Sequence, residues 1–597
     1  MKNYLIVVIH IKKFICHKVS KGGKVKMNFK RLLKYIKPYK FLILLALFCA
    51  FISNIAVIVA TYLNGKAIDN IVGINNVNFK GLTTVLISLA IIYLVSSIFQ
   101  WFISRYANKI AYIIVRDMRR DTFESLNNQP LSYYDHNPHG DIISRFTNDL
   151  DNVSDALAVS ITNLFSGIVT VVASLVAMLY LNVGITLAIL VVTPICFIVA
   201  STISKFNQRF FVKQQESIGQ LSSFVSEIVG NQKVVKAFNR ESKSIEEFDN
   251  ISDKLAKTAT RAMFASAMIN PSTRFVNNIA YISVGLVGGI LAVTKGVSVG
   301  IVSSFLIYAN QFAKPFNEIS GITAQIQTAF ASLTRIFNII DEKPEPYDKE
   351  NAIELNNCKG NIEIRNVDFS YDKKKPLIDN FNFTAKAGET IAIVGPTGCG
   401  KTTLVNLLMR FYDIDSGEIL IDGINVQDVT RDSLRKTFGM VLQDPWLFKG
   451  TVKENIAYGK PGATDEEIIA AAKSAHAHSF IKRLKNGYNT IISDEDLSQG
   501  QRQLLTIARV MLADPKMLIL DEATSSIDTL TEIRIQKAFL KLMEGRTSFV
   551  IAHRLSTIVS ADKILVMNKG NIVEQGNHKE LLEKKGFYYE LYNSQYA

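Results

Sequence analysis

Residues 395 to 403 read Gly-Pro-Thr-Gly-Cys-Gly-Lys-Thr-Thr and follow directly on the apolar run Thr390-Ile391-Ala392-Ile393-Val394. This order predicts a buried strand that feeds a glycine-rich turn and then a helix starting at Thr402. Gly395, Gly398 and Gly400 let backbone N–H groups turn inward, and the helix N-terminus adds partial positive charge. Lys401 is then placed to reach the β- and γ-phosphates of a nucleotide, and the Thr402 hydroxyl to reach Mg²⁺. Pro396, Thr397, Cys399 and Thr403 complete the loop. The same string also arises by chance in glycine-rich turns, so its weight rests on its companions.

Met517-Leu518-Ile519-Leu520-Asp521-Glu522 is an apolar strand ending in two carboxylates. Asp521 is placed to hold Mg²⁺ through water and Glu522 to orient and polarise an attacking water; a structural acid pair at a strand end is the plainer alternative. Gln443 follows the strand-like Gly439-Met440-Val441-Leu442, where its amide would reach metal and water, and His553 ends the run 548–552, where its imidazole would touch a γ-phosphate. Either one alone is more often an ordinary strand-end polar residue. Tyr371 closes the strand 362–369 and is placed to stack on a purine, although an aromatic in that position more often packs. Leu497-Ser498-Gln499-Gly500-Gln501 precedes the amphipathic run 502–512, so Ser498 and the Gly500 backbone form a second anion site at a helix N-terminus. One domain has no use for two γ-phosphate cradles. The economical reading is that this second turn seals the nucleotide held by a neighbouring copy.

The elements that must position these groups fall into two halves. A chain of 597 residues exceeds what one core supports. From residue 361 onward short β-branched runs alternate with amphipathic helices, an α/β pattern. The 48% hydrophobic content is concentrated before residue 320, in six charge-poor stretches long enough to cross a bilayer, at about 41–65, 81–104, 156–180, 184–204, 272–294 and 296–315. Arg274, Asn277, Asn278, Asn310 and Gln311 fall at or inside the last two. The net charge is +14, and Lys and Arg residues crowd the N-terminus and the long loops 105–155 and 205–261, as expected of cytoplasmic loops, whereas the short connections at 66–80, 182–184 and 295 hold few of them. This distribution favours a membrane topology over nucleic-acid binding, with both termini in the cytoplasm. The loop ends show helical periodicity and so extend the membrane helices inward, to tips at 129–135 and 227–238. The five cysteines lack metal or disulfide spacing. The stretch before Met27 is too short to span and poor as a leader; either it is a basic tail or Met27 is the start.

Taken together, these residues resemble the ATP-binding cassette exporters whose half-transporter chain fuses six membrane helices to one cassette. The resemblance covers the chain from about Met27 to the C-terminus. It implies a fold class of an α-helical membrane domain of six transmembrane helices with long cytoplasmic extensions plus an α/β P-loop NTPase domain of ABC type. The expected organisation is a basic extension at 1–27, the transmembrane domain at 28–325, a linker at 326–350 and the cassette at 351–597. The resemblance makes Tyr371 the adenine-stacking aromatic, 395–403 the Walker A loop, Gln443 the Q-loop, Ser498 to Gln501 the signature, Asp521 and Glu522 the Walker B pair, Ser525 to Asp528 the D-loop and His553 the switch histidine. The two loop tips become coupling helices.

It further implies ATP and Mg²⁺ as cofactors, a second half-transporter as partner, and export of hydrophobic or amphipathic compounds, drugs or lipids, across the cytoplasmic membrane. Three positions depart from the family pattern: Gln499 stands where glycine is usual, Ser526 and Ile527 stand for the usual Ala and Leu, and the stretch 490–496 is shorter and lacks its glycine. A side chain at Gln499 favours a heterodimer with one impaired site, with a homodimer the alternative. An ATP-gated channel or regulator and a soluble nucleic-acid ATPase are the rival readings.

Overall fold

The computed structural model describes residues 22–71, 77–493, 496–521, 527–552 and 555–596. The chain forms two compact units, one of Met1–Asn128 with Asn137–Glu342 and one of Gln129–His136 with Lys343–Ala597.

The first unit is helical. Its main helices are Lys40–Asp69, Phe79–Asn127, a run from His139 to Leu181 carrying π-helical turns at Arg145–Asp149 and Ser160–Leu164, Val183–Gly230, Glu241–Ala267, Ile269–Lys295 and Val299–Ile340. Among the described residues four segments are long and apolar enough to cross a membrane, Asn28–Asp69, Phe79–Asn127, His139–Leu181 and Asn278–Lys295. The charged residues 105–127 continue the helix that begins at Phe79 without a break, so the helical continuation expected from periodicity is present there. Turns fall where side chains can cap. Asn182 adopts an extended backbone and accepts from the N–H groups of Gly184 (2.9 Å) and Ile185 (3.2 Å), which starts the next helix.

Three boundaries differ from the sequence expectation. Gly296, at φ 67°, ends the helix before it, and Ser298 caps the following one through Ile301 N–H, so the last helix starts at Val299 rather than at 296. Residues 326–340, read as linker, continue that last helix, because Leu333, Ile336, Phe337 and Ile339 repeat at helical spacing and are buried. At the other end, helix Gly22–Ile36 begins inside the segment read as an extension.

Two polar side chains within the apolar helices bond across to a neighbouring helix, as a water-poor setting favours. Gln311 donates to the Thr61 hydroxyl at 2.8 Å and Tyr308 donates to the Ile58 carbonyl at 2.8 Å. Helices Lys40–Asp69 and Val299–Ile340 meet backbone to backbone at Gly65 and Gly300, where a Cβ on Gly300 would come within 2.1 Å of the Gly65 carbonyl oxygen. Arg274, Asn278 and Asn310 are exposed; the Asn277 side chain lies outside the described residues.

The second unit is α/β. Its strands are β1 (Ile362–Phe369), β2 (Ile378–Ala385), β3 (Thr390–Val394), β4 (Ser416–Ile421), β5 (Ile424–Asn425), β6 (Phe438–Val441), β7 (Gly450–Thr451), β8 (Ile491–Ile492), β9 (Met517–Asp521), β10 (Thr547–Ile551), β11 (Lys563–Asn568) and β12 (Asn571–Gly576). An antiparallel sheet runs β2-β1-β4-β5, and a six-stranded sheet runs β12-β11-β3-β10-β9-β6, parallel except for β12. Side chains alternate along the parallel strands, so each face of that sheet has its own core. Ile391, Ile393, Ile519 and Ile551 pack with Leu404 and Leu408 and with the antiparallel sheet, whereas Leu518, Leu520 and Val550 pack with Leu504, Leu505 and Phe539. The buried guanidinium of Arg431 anchors residues 345–348 to the unit through Asp348 (2.9 Å) and the Pro346 carbonyl (2.7 Å).

Candidate nucleotide-binding site

Strands β3, β10, β9 and β6 run parallel, so Val394, Ile551, Asp521 and Val441 end at one edge of the sheet. In such sheets the carboxyl edge is where ligands bind. The glycine-rich loop leaves β3 there, Asp521 is the last residue of β9, and Gln443 lies exposed two residues past β6. The fold therefore brings three of the predicted groups to a common edge. Glu522, Ser525 and His553 lie outside the described residues.

The loop needs glycine for two different reasons. Gly395 has φ 155°, and a Cβ there would lie 2.2 Å from the Met567 carbonyl oxygen. Gly398 and Gly400, at φ 81° and 104°, have open space around a notional Cβ or ordinary contact, so their demand is conformational. Gly570 supports the loop from below by donating to the Cys399 carbonyl at 2.9 Å. It has no room for a side chain, since a Cβ would meet the Leu377 carbonyl oxygen at 1.4 Å.

Helix Lys401–Leu408 follows with Gly400 at its N-cap and no side-chain cap hydrogen bond. The first N–H groups of a helix without such a cap are the donors that bind phosphate. The Lys401 ammonium donates to the Gly395 and Pro396 carbonyls at 2.8 and 3.1 Å, so its charge is held within the turn. Thr402 is exposed and Thr403 is buried. The donor set fits a nucleoside triphosphate, and a hydroxyl with a carboxylate at the same edge fits a hard cation such as Mg²⁺, which takes few protein ligands when phosphates supply the rest.

Tyr371 sits just past β1, 45% exposed. Its hydroxyl donates to Thr403 Oγ1 and accepts from Asn406 Nδ2, both at 3.3 Å, which ties the ring to the helix after the phosphate loop. Asn406, Tyr412 and Gly570 were missed by sequence reasoning. Only the Lys569-Gly570 turn after an apolar run gave a signal for any of them.

The second turn also has a local role. Ser498 caps helix Gln499–Ala513 in a reciprocal box, with its hydroxyl accepting from Gln501 N–H (3.3 Å) and Gln501 Oε1 accepting from Ser498 N–H (3.1 Å). Gly500 is buried, and a Cβ there would press on Thr531 Cγ2 at 2.5 Å. Gln499, the first helical residue, is half-buried. Asp528 caps the helix Thr529–Met543 through Thr531 N–H at 2.9 Å, and that backbone bond holds its carboxyl below the usual range.

Fold and site define a nucleotide-binding P-loop unit fused to a unit of apolar helices. Residues 43–316 match the family described as ABC transporter transmembrane region, and residues 378–525 match the family described as ABC transporter. An uncharacterized ABC transporter ATP-binding protein of Bacillus subtilis is 41% identical over 97% of this chain and 96% of its own length. A fatty acid ABC transporter ATP-binding/permease protein of Mycobacterium tuberculosis is 41% identical over 87% of this chain and 83% of its own. An ATP-dependent lipid A-core flippase of Syntrophus aciditrophicus is 36% identical over 96% of each. The chain belongs to the ABC transporter family, as a half-transporter of the exporter type: a multi-pass membrane protein that binds ATP and couples its hydrolysis to transport.

Proposed function

We propose that this chain exports hydrophobic or amphipathic compounds, lipids or drugs, across the cytoplasmic membrane by alternating access. In this reading six helices cross the bilayer, at the stretches 41–65, 81–104, 156–180, 184–204, 272–294 and 296–315, and the Lys and Arg of the N-terminus and long loops favour both termini and the cassette in the cytoplasm. The names of the mycobacterial and Syntrophus relatives, which refer to fatty acid and lipid A-core, favour lipid among these cargoes. The single observation that carries the reading is a helix start without a side-chain cap, preceded by a glycine-rich turn at the carboxyl edge of a parallel sheet, in a chain that also bears long apolar helices.

In this reading the backbone N–H groups of 395–403 and Lys401 bind the phosphates of ATP and Tyr371 stacks on adenine. Thr402, Gln443 and Asp521 would hold Mg²⁺, which when bound neutralises charge on the phosphates. Glu522 positions the attacking water, and His553 contacts the γ-phosphate. Ser498, Gln499, Gly500 and Gln501 close over the nucleotide of a second half-transporter, with Asp528 and Ser525 beside them. ATP thus favours paired cassettes by its greater affinity for that state, and hydrolysis removes the bridging phosphate. The Gln499 side chain supports a heterodimer in which this chain contributes the competent Glu522.

The test is reconstitution of the chain in vesicles, alone and with any similar half-transporter encoded beside it. ATP hydrolysis stimulated by lipid analogues, with ATP-dependent movement of a fluorescent phospholipid or dye, is expected. Ion current without stoichiometric hydrolysis would instead make it a gated channel.

A further inference from the structure

Tyr371 belongs to an aromatic cluster. Its ring meets Phe369 edge-on at 4.8 Å and 84°, and Tyr412 edge-on at 4.9 Å and 90°, while Phe369 and Tyr412 meet at 5.8 Å. The Tyr412 hydroxyl donates to the carboxylate of Asp135. Asp135 lies in the short helix Leu131–His136, which belongs to the same compact unit as the cassette, although the chain on either side of Gln129–His136 belongs to the helical unit. Burial and then the Asp135 carboxylate push the Tyr412 hydroxyl above its usual range, so it stays a proton donor at physiological pH.

A ring as exposed as Tyr371 loses rotamer freedom when it stacks on a ligand, and neighbours that fix it beforehand reduce that cost. Thr403 and Asn406 hold its hydroxyl, and the Tyr412 ring packs against it at a right angle. Tyr412 is itself oriented by Asp135, 277 residues away in sequence.

We propose that Asp135 and Tyr412 are positioning residues for purine binding: their hydrogen bond orients the ring against which Tyr371 rests, so that the segment Gln129–His136 sets how tightly the cassette holds ATP. This rests on the reading of Tyr371 as the base-stacking residue. Reciprocity requires that bound ATP strengthen the Asp135–Tyr412 contact in return.

The test uses the full chain in lipid nanodiscs, with equilibrium binding and steady-state hydrolysis of ATP and of CTP, whose smaller base stacks less. Tyr412→Phe keeps the ring and removes the bond, and Asp135→Ala removes the acceptor. Each should weaken ATP binding about three- to tenfold, as for loss of a charge-assisted hydrogen bond, and weaken CTP binding less. The rate at saturating ATP should be unchanged, the double variant should be no worse than either single one, and Asp135→Glu should recover most of the affinity. Wild-type ATP affinity in both single variants, additive losses in the double, equal losses for ATP and CTP, or a fall in saturated rate together with thermal stability would each overturn the proposal. A wild-type chain that binds neither nucleotide would instead refute the ATP reading itself.

Discussion

Two helix starts in the cassette look alike in sequence, each a short polar turn with glycine ahead of an amphipathic run, yet they are built on different principles. At Lys401 the N-cap is a glycine in the left-handed region, with no side-chain cap, and the turn before it is shaped by backbone conformation. At Gln499 the N-cap is Ser498, closed in a reciprocal box with Gln501, and the glycine inside is fixed by packing against Thr531 and Ile527. The first start offers its backbone donors to a ligand. The second is complete within one chain and presents a surface. That difference suits one turn to hold a nucleotide and the other to close over one held elsewhere.

The largest expected effect falls on the first start. Lys401→Ala should lower ATP hydrolysis on the order of 100-fold or more by removing the charge that meets developing phosphate charge. A residual rate above about one tenth would break the comparison at its root. Next, Gly500→Ala should cost about 1–3 kcal/mol of stability through overpacking, read as a lower thermal midpoint of the cassette. Gly398→Ala should cost about 1–2 kcal/mol, through its positive φ rather than through contact. Smaller again, Ser498→Ala should remove about 1 kcal/mol of helix capping. Its loss of turnover should exceed what that destabilisation explains, and an equal loss would reduce Ser498 to a cap. The smallest effect is at Gln499→Gly, where turnover should not fall; a clear drop would show that its side chain contributes to closure.

Acid sensitivity gives a separate check on the cassette core. Burial acts to raise the Asp422 carboxyl, but N–H donors from Asn361 and Lys359 bring it down to about 2. A carboxylate depressed in the folded state contributes stability above its unfolded value near 3.9 and loses it as pH falls toward 2. Asp422→Asn should therefore flatten the acid limb of cassette unfolding between about pH 4 and 2.

Much of this was legible in the sequence where local pattern and tertiary role coincide. Apolar runs ending in glycine or in Asp521 are strands β3 and β9, because a parallel strand buried on both faces admits little else. The stretches of charge-poor residues are helices for a similar reason. What escaped was set by partners distant in the chain. Residues 326–340, expected as part of a linker, are helical and bury Leu333 and Phe337. The Arg335 guanidinium bonds Asp149 at 2.7 Å across 186 residues, and no local spacing announces such a pair. The capping box is legible as Ser498 and Gln501 three apart, because both partners lie within one helical turn.

The central claim is that hydrolysis needs two cassettes, one supplying the phosphate loop and the other the Ser498 turn. The most direct measurement is ATP turnover in lipid nanodiscs sorted to hold either one chain or two. Turnover confined to the two-chain discs, with single chains at the level of Lys401→Ala, is the predicted result. Single chains that hydrolyse ATP as fast as pairs would contradict it.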